Sequence, residues 1–227
     1  MDFQPLTHFI KCFAHVFFPV SCPICGNPGE IACKECLDSL CFNRKIKCFA
    51  CGLDHPCVLH ESEAWIYFFA RHNDVARRLL LSFKYSNHES LGRAMGESVG
   101  NALLRDNEIL VSSYDAGSVI LVPIPLHRES KRRFNQSRAI AFGISRVLGF
   151  KVSESLRWSY DVKTQTERSG KERLELAEDV FSAEKIEGKR VIIIDDVITT
   201  GTTIKRALSA CARAGAECTG AIVWAKA

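Results

Sequence analysis

The chain has 227 residues, of which 47% are hydrophobic and 25% are charged. These proportions are those of a globular protein, and they exclude a wholly disordered chain and a collagen-like or coiled-coil architecture. The length suffices for one domain of ordinary size with a small appendage. The formal net charge of +4 permits an anionic ligand, but it does not by itself require nucleic acid.

The cysteine content is the unusual feature of the composition. Nine of the eleven cysteines lie within the first 57 residues, and the other two are Cys211 and Cys218. The N-terminus lacks a basic region and a small-residue cleavage site, and no apolar stretch reaches the length of a membrane span. We therefore expect a cytoplasmic protein in which clustered thiols bind metal rather than form disulfides.

The first predicted element is an amphipathic helix over residues 5–18, where apolar residues recur at three- and four-residue spacing before Pro19. Its polar face lacks the many Lys and Arg residues of an interfacial helix, which favours packing on the protein over attachment to a membrane surface. The loss of cysteines and the start of alternating apolar segments place a domain boundary near residue 61. Residues 1–60 are predicted to form a small N-terminal module, and residues 61–227 the main domain.

Four pairs of Cys or His residues in this module share the same two-residue spacing. Tetrahedral zinc takes four such ligands, so the sequence predicts one or two closed, structural Zn²⁺ sites. Successive and interleaved pairing of the four half-sites both fit the spacing. Cys12, Cys41, Cys211 and Cys218 lack a partner at metal spacing and are expected to be small buried residues. The predicted ligands are Cys22, Cys25, Cys33, Cys36, Cys48, Cys51, Cys57 and His60.

Strands and helices alternate in the main domain. Helices of this length between apolar strands indicate βαβ units, so we expect an α/β fold with a mostly parallel sheet and flanking helices. The predicted strands cover residues 65–70, 119–124, 191–194 and 221–224, and the predicted helices cover residues 75–83, 91–104, 135–148 and 202–214.

The most informative segment follows the apolar strand 191–194. Two carboxylates, Asp195 and Asp196, come at the end of this strand, and a Thr/Gly-rich loop over Thr199–Thr203 leads directly into a helix. Successive backbone N–H groups, hydroxyls and a helix N-terminus together bind phosphate. The carboxylates suit sugar hydroxyls, so the segment predicts a site for a ribose phosphate, with or without a divalent cation.

This segment resembles the signature of type I phosphoribosyltransferases, which bind 5-phosphoribosyl-1-pyrophosphate (PRPP). Nearly the whole chain resembles the ComF/GntX family of competence-associated proteins. The resemblance is carried by CPICG at 22–26, the four metal pairs, LSFKY at 81–85, VPIPL at 122–126, RFNQS at 133–137, Gln165 and Thr166 with Arg173, and the DDVITTGTT segment at 195–203.

The resemblance implies a type I phosphoribosyltransferase domain behind an N-terminal zinc module, with Mg²⁺ accompanying PRPP. It also implies a cytoplasmic function in DNA uptake during natural transformation, either free or peripheral at the inner face of the membrane. Single-stranded DNA and other uptake proteins, such as a helicase, would be the partners. The alternative is an active transferase that moves phosphoribosyl onto a nitrogenous acceptor. The implied catalytic residues are Asp195 and Asp196, and the implied PRPP-binding residues are Asp195, Asp196, Val197, Thr199, Thr200, Gly201, Thr202 and Thr203.

A basic cluster separates the strand at 119–124 from the next helix. It consists of His127, Arg128, Lys131, Arg132, Arg133 and Arg138. Its position after the carboxyl end of a strand favours a phosphate-binding role over a solvated loop, and arginine suits bidentate phosphate contacts. Phe134 is a candidate for stacking on a base. The residues predicted to bind pyrophosphate or nucleic-acid phosphates are Arg128, Lys131, Arg132, Arg133, Asn135 and Gln136.

Overall fold

The computed structural model describes residues 21–42, 45–60, 64–85, 88–127, 130–159 and 180–227. The predicted helix over residues 5–18 lies outside these residues, as do Cys12, Arg128 and the Gln165, Thr166 and Arg173 motif. Within the described ranges, no helix combines the length and the hydropathy needed to cross a membrane.

The described residues form five helices and eight strands. The helices are α1 (Lys34–Asp38), α2 (Asp74–Tyr85), α3 (Glu89–Ser112), α4 (Gln136–Leu148) and α5 (Thr202–Arg213). The strands are β1 (Lys47–Cys48), β2 (Trp65–Arg71), β3 (Val119–Pro123), β4 (Lys151–Val152), β5 (Leu156–Trp158), β6 (Phe181–Ala183), β7 (Arg190–Ile198) and β8 (Glu217–Lys226).

Six strands form the main sheet, in the order β1-β2-β8-β7-β3-β4. Every neighbouring pair from β2 to β4 is parallel, and only the two-residue β1 runs antiparallel, beside β2. Strands β5 and β6 form a separate antiparallel pair. The predicted α/β fold with a mostly parallel sheet is confirmed.

The long predicted elements are present, but several of their boundaries differ. Strand β7 continues to Ile198 and contains Asp195 and Asp196, so the carboxylates do not end it as predicted. Helix α3 reaches Ser112, across a non-helical residue at Asn107 (φ −142°, ψ 36°). Four strands were not predicted from the sequence, and each of them is only two or three residues long: β1, β4, β5 and β6. So few residues carry no recognisable alternation.

The sheet separates two hydrophobic cores, because alternate residues of each strand point to opposite faces. Ile192 and Ile194 of β7 belong to the core that holds α2, α3 and α4, whereas Val191 and Ile193 belong to the core that holds α5. Cys22, Leu37 and Ile46 of the N-terminal module join the first core. The module therefore packs on the main sheet as well as adding β1 to its edge. The division near residue 61 stays a prediction.

Helices α3 and α4 cross at two glycines. A Cβ at Gly96 would lie 2.1 Å from the carbonyl oxygen of Ile140, and a Cβ at Gly143 would lie 2.1 Å from the carbonyl oxygen of Arg93. Both distances are far below any real contact, so the two backbones approach closely only because neither residue carries a side chain. This crossing fixes α4 on the sheet and thereby sets where its first turn lies.

Candidate functional site: the carboxyl ends of β3 and β7

The candidate site lies where two adjacent parallel strands end. Pro123 of β3 is paired with Ile194 of β7, and Asp195 and Asp196 follow directly on β7. Beyond β3, the chain passes through the basic segment and enters α4 at Gln136. Ligands of parallel sheets bind at this edge, so the location predicted from the sequence agrees with the strand order.

The two carboxylates are held by three neighbouring elements. The hydroxyl of Ser137, in the first turn of α4, donates to Oδ1 of Asp195 at 3.0 Å. The backbone N–H of Asp196 donates to the same oxygen at 2.9 Å. Nζ of Lys84, near the end of α2, lies 3.3 Å from Oδ2 of Asp196 in an ion pair. The orientation of each carboxylate is thus set before any ligand arrives.

Asp195 has an unusual acidity for an aspartate. Burial disfavours its charged form and the adjacent carboxylate of Asp196 repels it, and together they raise the pKa of Asp195 to about 7. The hydrogen bonds from the Asp196 amide and from Ser137 act in the opposite direction and do not cancel this rise. Asp195 therefore changes charge near neutral pH, which is typical of functional sites.

The Thr/Gly loop is a three-residue connection between β7 and α5. Gly201 is the N-cap of α5 and adopts the left-handed conformation (φ 80°), which a side chain would strain. Thr199, Thr200, Thr202 and Thr203 are all exposed, and the hydroxyls of Thr200 and Thr202 lie 2.9 Å apart. The first backbone N–H groups of a helix have no partner within the helix. The loop is therefore open to an anion.

The predicted phosphate ligands around α4 divide into two groups. Asn135 is a structural cap, because its side chain accepts from the Arg138 backbone N–H at 3.2 Å and donates to the Ile124 carbonyl at 2.9 Å. Gln136 is buried and accepts from Arg132 Nη1 at 3.1 Å. Its Nε2 is a buried donor without a hydrogen-bond partner among the described residues.

A cavity of about 190 Å³ lies beside Asn135 and Gln136. Its lining also includes Arg132, Ser137, Asp195 and Asp196. An unpaired buried donor is costly. Its place in the lining of this cavity indicates that Gln136 Nε2 is available to a ligand oxygen there.

A second recess, of about 500 Å³, adjoins the first and shares Ser130 and Arg132 with it. Phe134 packs on Phe83 at a centroid distance of 5.5 Å and is half-buried, so it anchors the segment rather than standing free for a base. Tyr85, which is 85% exposed, is the aromatic side chain that is open to solvent there. The recess is lined by Lys84, Tyr85, Ser130, Lys131, Arg132, Arg133 and Phe134.

Arg138 does not join the other basic side chains. Its Nε donates to Glu154 at 2.7 Å, and its Nη1 lies 3.6 Å from Glu89. Its guanidinium also stacks over the Phe142 ring at 4.8 Å. Helix α4 thus presents Arg138 to two carboxylates away from the cavity. Its inclusion in the predicted phosphate-binding cluster was wrong.

The predicted metal ligands form two clusters, each with its four ligand atoms within 4.8 Å of one another. The structure brings successive pairs together and does not interleave them. Either cluster could hold a metal ion in a closed site. The first consists of Cys22, Cys25, Cys33 and Cys36, and the second of Cys48, Cys51, Cys57 and His60.

One thiol in each cluster is made more acidic by backbone N–H groups, whereas hydrogen bonds between thiols and burial raise the pKa of Cys33, Cys36 and Cys51. Burial opposes ionisation of Cys22, but backbone N–H groups from Cys25, Cys33 and Ile24 outweigh it and lower the pKa of Cys22 to about 6. The pKa of Cys48 is also lowered, because backbone N–H groups outweigh its burial. Thiolates are the form that binds metal. Sulfur-rich sets of four ligands are the donors that zinc takes in structural sites, so the residues present fit this ion.

Two residues of the site escaped the sequence analysis. Lys84 and Ser137 belong to the LSFKY and RFNQS motifs, yet nothing in the spacing linked either of them to the carboxylates. The link exists only because α2 and α4 both pack on β7 from the same face of the sheet. The available signal was the position of Ser137 in the first turn of the helix, two residues after the N-cap Asn135. In βαβ units, this turn lies close to the carboxyl ends of the strands.

Comparison with known proteins agrees with this geometry. The family model of the phosphoribosyl transferase domain matches residues 136–227, the part of the chain that runs from the start of α4 through β8. An amidophosphoribosyltransferase from Methanothermobacter thermautotrophicus is 30% identical over 128 residues, which are 54% of this chain and 24% of that protein. The chain thus spans about a quarter of the length of this curated relative. Residues 136–227 are thus similar to a phosphoribosyl transferase domain.

Two solved structures resemble the chain distantly. The allosteric regulatory enzyme of purine biosynthesis has 22% identity and a TM-score of 0.36, over 60% of this chain and 26% of that one. UMP synthase from Leishmania donovani has 17% identity and a TM-score of 0.38, over 85% of this chain and 31% of that one. Both TM-scores are low.

Proposed function

We propose that the chain binds PRPP at the carboxyl ends of β3 and β7. One observation carries this proposal: the exposed loop Thr199–Thr203 and the oriented pair Asp195 and Asp196 occupy a single strand–turn–helix unit. A phosphate site and two acceptors for hydroxyl groups therefore lie within one ligand's length of each other. The match of residues 136–227 to the phosphoribosyl transferase domain supports the same assignment.

Each part of the site suits one part of PRPP. The backbone N–H groups and hydroxyls of Thr199–Thr203 bind the 5′-phosphate. Asp195 and Asp196 accept hydrogen bonds from the ribose hydroxyls, and Val197 lies between them and the loop. Arg132 and the unpaired Nε2 of Gln136 face the neighbouring cavity and bind the pyrophosphate. Mg²⁺, when bound with PRPP, neutralises charge on the pyrophosphate.

The finer proposal is a ComF-like cytoplasmic protein of natural transformation that handles incoming single-stranded DNA, alone or with other uptake proteins such as a helicase. The adjoining recess supports this reading. Lys84, Lys131, Arg132 and Arg133 supply four cations, and the exposed Tyr85 supplies a surface on which a base can stack. PRPP is then a ligand or regulator of DNA handling.

The alternative is an active transferase. In that reaction, the bond between the ribose anomeric carbon and the pyrophosphate oxygen breaks, and a bond from that carbon to an acceptor nitrogen forms. Negative charge develops on the leaving pyrophosphate, where Arg132 stabilises it. The acceptor then occupies the adjoining recess of about 500 Å³, which we call the basic recess because Lys84, Lys131, Arg132 and Arg133 line it.

We also propose that each cysteine cluster binds one structural Zn²⁺. The donor sets, four thiolates in one cluster and three thiolates with one imidazole in the other, are those of closed zinc sites. No ligand position is left for a catalytic water in either set.

Calorimetric titration of zinc-loaded protein with PRPP and Mg²⁺ tests the proposed function. We expect saturable binding, and no heat of binding at millimolar PRPP would refute it. Release of pyrophosphate in the presence of nitrogenous acceptors or single-stranded DNA then separates the transferase from the binding protein. Transformation frequency of a deletion strain that carries either the wild type or the Asp195→Asn/Asp196→Asn variant tests the competence role.

A further inference from the structure

One side chain of the second cysteine cluster approaches the loop Thr199–Thr203, which we call the phosphate loop. Phe49 stands between the ligands Cys48 and Cys51. Its Cζ and Cε2 atoms lie 3.5 and 3.6 Å from the position that a Cβ would occupy at Gly201, and Cδ1 of Ile198 lies 3.4 Å from the same point. Phe49 and Ile198 therefore line the space beside the left-handed Gly201 that a side chain would occupy.

The backbone of Phe49 is fixed by the turn that carries the cluster. The N–H of Phe49 donates to the carbonyl of Ala64 at 2.9 Å, which ties it to the start of β2. Cys48 is fully buried, and its carbonyl accepts from the N–H of Gly52 at 2.9 Å. Because a ligand precedes Phe49 directly and another follows two residues later, the position of the ring depends on how the four ligands close.

The apolar side chain within the first CxxC turn packs elsewhere. Pro23 corresponds to Phe49 in position, and the next residue, Ile24, packs against the core that holds α2, α3 and α4. Phe49 packs instead against the core that holds α5. Ile24 and Phe49 thus face opposite sides of the sheet, and of these two residues Phe49 is the one that shares a core with Ile198 and α5.

We propose that Phe49 is a positioning residue for the phosphate loop, and that metal in the second cluster raises PRPP affinity through this contact. The proposal rests on the proposed function, since it concerns the same phosphate site. The threonines of the loop are exposed, so contacts beneath Gly201 have a large share in fixing its backbone. Removing the ring leaves Ile198 as the remaining support at that point. The loop then loses more conformational entropy when it binds phosphate, and this loss weakens binding.

The first test uses single substitutions that leave the ligands intact. Phe49→Ala should keep its zinc and should weaken PRPP binding about tenfold, which is the loss of one side-chain contact at the loop. Phe49→Leu should restore most of the affinity. The matched control Ile24→Ala should bind PRPP within about twofold of the wild type. Zinc analysis and calorimetry at a temperature below each variant's melting point give the two readouts.

Two further readouts distinguish loop positioning from general destabilisation. Inorganic phosphate, used as a probe of the phosphate group that the loop binds, should lose affinity by the same factor as PRPP in Phe49→Ala. Amide hydrogen exchange at Thr199–Thr203 should become faster in that variant, with exchange in α3 and α4 unchanged.

The metal dependence is tested by removing one ligand from each cluster. Cys51→Ser should weaken PRPP binding as Phe49→Ala does, and the double variant should show no further loss, because both changes act through one contact. Cys25→Ser should lose its metal with PRPP affinity retained.

The possible failures are separable. If the wild type binds no PRPP, the proposed function fails. If the wild type binds PRPP and Phe49→Ala binds it equally well, or Ile24→Ala weakens it equally, the positioning role alone fails.

Discussion

The hydroxyl of Ser137 donates a hydrogen bond of 3.0 Å to Oδ1 of Asp195 and so joins the first turn of α4 to β7. Ser137 is buried, which shields this bond from competition by water. The bond favours the ionised carboxylate, whereas burial and Asp196 oppose it. Ser137 is therefore the α4 residue through which the helix adjusts the charge of Asp195.

The pH dependence of PRPP binding should report this balance. Ribose hydroxyls donate to a carboxylate, so affinity should rise as Asp195 ionises, with a midpoint near its raised pKa of about 7. Ser137→Ala removes a bond that stabilises the charged form and should move the midpoint to higher pH. Calorimetry from about pH 5.5 to 8.5 measures both profiles.

The matched control for this prediction is Asp195→Asn. Asp196 and Lys84 also face the site, where the phosphate groups of the ligand ionise over the same range of pH. The profile that remains in Asp195→Asn therefore belongs to those groups, and it should be flatter than that of the wild type. An identical profile in Ser137→Ala and the wild type would contradict the assignment.

Substitutions in the phosphate loop and substitutions of the two carboxylates should have different effects on the binding of PRPP and of inorganic phosphate. Asp195→Asn/Asp196→Asn should weaken PRPP binding and leave inorganic phosphate binding intact, because the loop is unchanged. Gly201→Val should abolish both.

The second effect follows from the conformation of Gly201. A Cβ at Gly201 would point towards Phe49, and the residue has a φ of 80°. A β-branched residue there strains the loop. Parallel titrations with PRPP and phosphate distinguish the two variants, and equal losses for both ligands in the Asp variant would count against separate roles.

Metal analysis should find two zinc ions per chain. Cys25→Ser and Cys51→Ser should each lose one ion and lower the melting temperature, because closed zinc sites contribute to folding free energy. Cys218→Ser is the matched control. The Cys218 thiol donates to the Leu208 carbonyl at 3.1 Å, a bond that a serine hydroxyl can also make, and it belongs to neither cluster. Protein purified without chelator that contains no zinc would refute the prediction.

The crossing of α3 and α4 should be sensitive to a single methyl group. Gly96→Ala places a Cβ against the Ile140 carbonyl and should lower the free energy of unfolding by about 2 kcal/mol, despite the better helix propensity of alanine. Gly117→Ala should change it by less than about 0.5 kcal/mol, since a Cβ there meets only the Asp115 carboxylate. Urea denaturation compares the two. If both variants have the same free energy of unfolding, helices α3 and α4 can move apart without a measurable loss of stability, which would contradict the prediction.

Single-stranded DNA binding, if it uses the basic recess, should depend on salt. Lys131→Ala/Arg133→Ala should weaken it and reduce the slope of log affinity against log salt by about 1.4, which corresponds to two lost phosphate contacts. Arg146→Ala is the control, because Arg146 is paired with Glu97 at 2.9 Å on the exposed side of α4. An unchanged salt slope in the double variant would restrict the recess to a small ligand.

The sequence predicts those parts of the fold whose signals are local. The apolar run at 191–194 and the amphipathic periods of α4 and α5 placed the elements that carry Asp195, Ser137 and Gly201. The metal ligands were predictable because each half-site is a short motif. Their grouping was not, because it depends on how the turns fold over one another.

Contacts between distant segments had no local signal. Phe49 meets Gly201 across about 150 residues of sequence, and its motif CFAC shows only a metal half-site. Arg138 was misassigned for a related reason: its partner Glu154 comes from the segment after β4. Helical position alone does not reveal such a partner.

The strand order also sets a sequence of events during synthesis. Strand β2 forms near the start of the main domain, but its parallel partner is β8, which spans Glu217–Lys226. Some 145 residues must therefore leave the ribosome before β2 can pair with β8. Strand β7 also lacks one of its two neighbours until β8 is synthesised. Until then, both present open backbone edges to other chains. The nascent protein is most exposed to misassociation just before β8 emerges.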